Sequence, residues 1–107
     1  MPNLTKNPTL KEFQNYVAEL ENERGFSHQT IIDKCLLLGE EIGELFKAVR
    51  KSEGLAVDSN SNFTEIGDEL TDIFIYLCAI ANRKGIDLES AFLEKEVKNK
   101  LRVWKSV

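Results

Sequence analysis

Apolar residues in this chain recur at every third or fourth position and nowhere alternate over the length of a strand. The first such stretch takes in Phe13, Tyr16, Val17 and Leu20. Thr9-Leu-Lys-Glu12 ahead of it has the form of a capping box, in which hydroxyl and carboxylate each take up a backbone N–H left over at a helix start. Arg24-Gly25 closes it, because a cation suits the negative end of the helix dipole and glycine suits the left-handed turn beyond. A second helix is expected to open between Ser27 and Thr30, run through Leu38, Ile42 and Leu45, and stop at Arg50-Lys51 before Gly54. The string SEGLAVDSNSN then loses the period, which predicts a loop of about ten residues. Asn62-Phe-Thr-Glu65 offers caps for a third helix that ends at Arg83-Lys84-Gly85. Asp87 offers one for a fourth, continuing to about Trp104. The expected fold is all-α, with residues 1–107 forming one four-helix domain.

Composition narrows the function. An apolar share of 42% with a charged share of 30% belongs to a globular chain rather than a disordered one. A net charge of −4 argues against a broad basic surface for duplex nucleic acid. An acidic protein that binds polyphosphates does so locally, usually through a metal ion. The longest apolar stretch, Ile73 to Ala81, is too short to cross a bilayer, and MPNLTKNPTL has no signal-peptide core, so a cytoplasmic protein without a membrane partner is expected. Cys35 and Cys78 both sit in apolar runs and read as buried free thiols.

The candidate chemistry lies on the second and third helices. LGEEIGELFKAVRK carries Glu40, Glu41 and Glu44, and DELTDIFIYLCAIA carries Glu69 and Asp72. Residues three and four apart share a helix face, so Glu41 lines up with Glu44, and Glu69 with Asp72 and Tyr76. Acids on helices usually form a solvated face. Here, however, only Thr71, Asp72 and Tyr76 carry a polar side-chain group between Leu70 and Ala81, so this helix is expected to be buried. An ionised aspartate there needs a partner or a metal. Two acidic pairs converging on one point call for a divalent cation, and all-oxygen ligation points to Mg²⁺ or Mn²⁺ rather than zinc. On the fourth helix, Lys95, Asn99 and Arg102 fall within an arc of about 60°. They are candidates for phosphate oxygens that the metal does not reach.

These segments together resemble the MazG-type all-α nucleotide pyrophosphohydrolases. The resemblance rests on Glu40-Glu41-x-x-Glu44, twenty-four intervening residues, then Glu69-x-x-Asp72, followed by ANRKGIDLESAFLEK and KNKLR. A second ExxD, Glu65 to Asp68, lies one turn earlier, but the apolar run DIFIYL selects Glu69 and Asp72. The resemblance implies that Glu41, Glu44, Glu69 and Asp72 hold Mg²⁺, with Glu40 a further acid beside the metal or the attacking water. It also implies that Lys95, Asn99 and Tyr76 contact phosphates or nucleotide, and that the chain assembles as a homodimer or homotetramer. The implied reaction converts a nucleoside triphosphate to its monophosphate and pyrophosphate, clearing unwanted nucleotides. Two alternatives remain open at this point. One is a related phosphoribosyl-ATP or dUTP pyrophosphohydrolase, and the other is a helical interaction module that turns nothing over.

Overall fold

The computed structural model describes residues 2–55 and 65–104. They form four helices: α1 (Leu10–Arg24), α2 (Ile31–Ser52), α3 (Ile66–Arg83) and α4 (Leu88–Lys100), with no strand among the described residues. The caps explain the boundaries. Thr9 and Glu12 form the expected capping box, and Thr30 forms a second one with Asp33. Gly25 ends α1 at φ 77°, a left-handed conformation that glycine adopts without steric cost. Asp87 caps α4 through the backbone N–H of Ser90. The expected Asn62 cap lies outside the described residues; α3 starts from Glu65, whose side chain makes no cap bond.

The core is small. Val17 and Leu20 of α1 meet Cys78 and Ala79 of α3, with Phe13, Phe74, Ile75 and Leu88 packed around them. The Phe13 and Phe74 rings meet edge to face at 5.3 Å, a favoured geometry for aromatic quadrupoles. α2 lies along α3, α1 packs against α3, and α4 packs against α1. Buried Gln14 ties α1 to the α3–α4 turn, donating to Ile86 O at 2.8 Å and accepting from Leu88 N at 2.9 Å.

Three expectations change. α4 stops at Lys100, so Arg102 lies past the helix rather than on a continuing arc with Lys95 and Asn99. The Trp104 indole N–H takes the Asn99 carbonyl at 3.2 Å, and Arg102 N bonds the same carbonyl at 3.1 Å, which closes the helix early. Cys35 is exposed, and only Cys78 is a buried thiol. Nor is α3 covered all round, since Leu70 and Leu77 are exposed. The radius of gyration, 16.7 Å, exceeds the roughly 13 Å of a spherical chain of this length. Ile32 and Leu36 on α2, and Phe92 and Leu93 on α4, turn their apolar side chains outward. Among the described residues no helix is long and apolar enough to cross a membrane.

Candidate active site

Glu41, Glu69 and Asp72 each bring a carboxylate oxygen to within 4.8 Å of the other two. Glu41 arrives from α2, and Glu69 and Asp72 from successive turns of α3. Glu69 is the buried member at 3% exposure, Glu41 is half-buried, and Asp72 is exposed. The burial expected of Asp72 is instead found at Glu69, one turn earlier on α3. These groups form an all-oxygen donor set of the kind that hard divalent cations take. Cys78 is no competitor for such an ion, since burial pushes its thiol up to about 11.

Crowding of like charge shows in the proton affinities. Glu41 is pushed up to about 7, first by burial, then by a hydrogen bond with Glu69 and by the negative charges of Glu69, Asp72 and Glu44. Asp72 is raised by burial, then by Glu69 and Asp68. Tyr76 is raised by burial, then by Glu41, Asp72, Glu40 and Glu21.

The other sequence candidates spread more widely. Glu44 is half-buried one turn after Glu41, with an oxygen 3.6 Å from the Lys47 ammonium, and does not join the three converging groups. Glu40 is exposed. Tyr76 lines the same cavity as Glu41 and Asp72. Lys95 lines a different, apolar cavity of about 500 Å³ between α3 and α4, beside Phe74, Leu77 and Phe92. The Asn99 amide donates to Glu96 at 2.6 Å, and Arg102 stacks on the Trp104 ring at 4.4 Å. Within one chain, Lys95, Asn99 and Arg102 thus do not line the cavity that holds Glu41 and Asp72.

The cavity beside the carboxylates has a volume of about 190 Å³, with Phe26, Lys34, Glu41, Asp72 and Tyr76 in its walls. A more open depression of about 390 Å³ on the α1–α2 turn contains none of the three carboxylates. Behind the smaller cavity stands an ionic network that the spacing of acids does not single out. Both oxygens of buried Glu21 accept from the Arg83 guanidinium at 2.8 Å, and the Lys34 ammonium lies 3.0 Å from one of them. Arg83 also bonds Gln29 O at 2.9 Å, which fixes the α1–α2 turn against α3. The one available signal for Lys34 is a lone cation in DKCLLL, seven residues before Glu41.

The family model described as the MazG nucleotide pyrophosphohydrolase domain matches residues 26–104, most of the chain. The chain belongs to the MazG nucleotide pyrophosphohydrolase family. Among curated relatives, the MazG chain is 36% identical to dCTP pyrophosphatase 1 of Bos taurus and 35% identical to that of Homo sapiens, each over 100 residues. Those matches cover 89% of this chain and 59% of the relatives' length. Among solved structures, iMazG from Vibrio DAT 722 superimposes with a TM-score of 0.68 at 29% identity. That match covers 91% of this MazG chain and 99% of the other.

Proposed function

We propose that this protein hydrolyses a nucleoside or deoxynucleoside triphosphate between its α- and β-phosphates, giving the monophosphate and pyrophosphate. The observation that carries the reading is the meeting of Glu41, Glu69 and Asp72 in a chain of this family. These three, with Glu44 one turn from Glu41, are the proposed Mg²⁺ ligands, and Mn²⁺ suits the same oxygen set. Such an ion supplies neutralisation of phosphate charge and acidification of water. The residues themselves do the positioning on which phosphoryl transfer chiefly depends. Glu41 holds its proton up to about 7 in the metal-free site, and Glu40 or Glu44 is the proposed acceptor of a proton from the attacking water. Tyr76 faces the bound nucleotide from α3.

The proposal extends to assembly. Ile32, Leu36 and Phe46 of α2, and Phe92, Leu93 and Val97 of α4, are more than half exposed, which supports a homodimer or homotetramer. The phosphate contacts of Lys95, Asn99 and Arg102 are assigned to that assembled form. The role proposed is clearance of unwanted nucleotides in the cytoplasm. The curated relatives are named for dCTP, which makes it the first nucleotide to assay. Incubation with a panel of nucleoside triphosphates, phosphoribosyl-ATP included, and scoring of pyrophosphate against orthophosphate tests the activity. Orthophosphate alone, or no turnover, would overturn it.

A further inference from the structure

Lys34 is a buried cation with charge to spare. Its side chain is 4% exposed, and Glu21, at 3.0 Å, is its one oxygen partner among the described residues. Yet Glu21 does not need it, because the Arg83 guanidinium already binds both Glu21 oxygens at 2.8 Å. Arg83 is partly exposed and also has the negative charge of Asp33 nearby. It is thus the Lys34 ammonium that stays buried with only a shared carboxylate beside it, an arrangement that costs stability unless something meets it. The rest of the ammonium faces the rings of Phe26 at 5.2 Å and Tyr76 at 5.4 Å, which are weaker partners than an oxygen. All three residues line the cavity of about 190 Å³ that ends at Glu41 and Asp72.

Lys34 and Glu41 are seven residues apart on α2, hence on the same face and about 10 Å apart along the axis. A nucleotide whose phosphates are held at Glu41 extends its base by that order of length. Between the two ends the walls are largely apolar or aromatic, formed by Leu20, Ile75, Ala79 and the two rings, with Arg24 also in the lining. The apolar and aromatic part of these walls suits a planar heterocycle. An ammonium has three donors and no acceptor. It pairs with a base edge that presents a carbonyl oxygen, and an exocyclic amino group in that place sets donor against donor.

We propose that Lys34 reads the base of the bound nucleotide and selects bases that present a carbonyl oxygen (cytosine, uracil, thymine, guanine) over adenine. The inference rests on the nucleotide-binding reading of the carboxylate site and adds to it the element of substrate choice. Glu21 and Arg83 are the positioning residues that hold the ammonium in place.

The test measures binding of dCMP, dTMP, dGMP and dAMP by calorimetry with Mg²⁺ present, where nothing turns over. In parallel, pyrophosphate release from the four triphosphates gives kcat/KM. Lys34→Met keeps the apolar stem and leaves Glu21 paired with Arg83. It is expected to weaken dCMP, dTMP and dGMP by about 10- to 100-fold while dAMP changes by less than about 3-fold. Lys34→Gln, which carries a donor and an acceptor, should raise dAMP relative to the others, and it keeps the idea testable if the methionine variant fails to fold. An equal loss for all four nucleotides would make Lys34 a phosphate grip and overturn the proposal, as would an unchanged ranking in both variants. Pyrophosphate release with a ranking indifferent to Lys34 sinks the base reading alone. A Lys34-dependent ranking without pyrophosphate release keeps the base pocket and removes the catalytic reading.

Discussion

Glu41 of α2 and Glu69 of α3 bring carboxylate oxygens within 4.8 Å of each other, and burial together with this like-charged neighbour pushes Glu41 up to about 7. The two like groups meet where the helices pack, beside Asp72. A divalent cation held by these three carboxylates would offset the repulsion among them.

A pH dependence of stability follows for the metal-free protein. Folded Glu41 holds its proton up to about 7, against 4.5 for the ordinary side chain, so between those values the folded state binds more protons than the unfolded one. The contribution is full below 4.5 and is lost as pH rises through 7, and the raised Asp72 acts in the same direction. Glu21 and Asp33 are lowered, so they act in the opposite sense but below 4.5. Thermal melting with chelator should therefore show Tm falling from pH 5 to pH 7.5, and Mg²⁺ should flatten the fall. A metal-free Tm that rises across this window would contradict the raised proton affinity of Glu41.

Removing a ligand charge should separate activity from stability. Asp72→Asn or Glu44→Gln is expected to abolish pyrophosphate release. The metal-free Asp72→Asn protein should melt at or above the wild-type temperature, because one repelling charge is gone. Near-wild-type kcat/KM in either variant would refute the ligand assignment.

The ionic network behind the cavity should behave in the opposite way. Glu21→Gln strands Lys34 and Arg83 without their carboxylate, and breaking a buried pair costs about 3–5 kcal/mol. The expected loss in Tm exceeds about 10 °C for a domain of this size. A loss of only one or two degrees would show that water reaches the network.

Much of this architecture was legible in the chain itself. Thr9 with Glu12, Gly25, and Asp87 each announced a helix end that the structure bears out. Thr30 was within the expected window. Of the four carboxylates expected to converge, Glu41, Glu69 and Asp72 meet while Glu44 stands apart, since helical periodicity fixes which side chains share a face but not how far each reaches. Periodicity does not say what covers a face. Cys35 and Leu77 lie in apolar runs yet are exposed, and Asp72 traded its expected burial for that of Glu69. Lys34 was invisible for a related reason. A lysine in DKCLLL reads as a surface group until folding brings Glu21 and Arg83, distant in sequence, to its side.

Assembly is open to a direct check. The outward-facing Ile32, Leu36 and Phe92 predict that light scattering at micromolar concentration returns two or four times 12.2 kDa. Leu36→Glu or Phe92→Glu should shift that mass downward, since a charge in a buried apolar interface is costly. A mass of one chain for the wild type would remove the proposed oligomer, and with it the route by which Lys95, Asn99 and Arg102 serve the site.

The central claim is cleavage between the α- and β-phosphates at the carboxylate site, and product analysis tests it most directly. Purified protein is incubated with each nucleoside and deoxynucleoside triphosphate in Mg²⁺, and the products are resolved by ion-exchange chromatography. The expected result is monophosphate and pyrophosphate in equal amounts, with neither formed in chelator or by Asp72→Asn. Diphosphate with orthophosphate would place the cut at the wrong bond. Unchanged product formation by Asp72→Asn would place the chemistry at the wrong site.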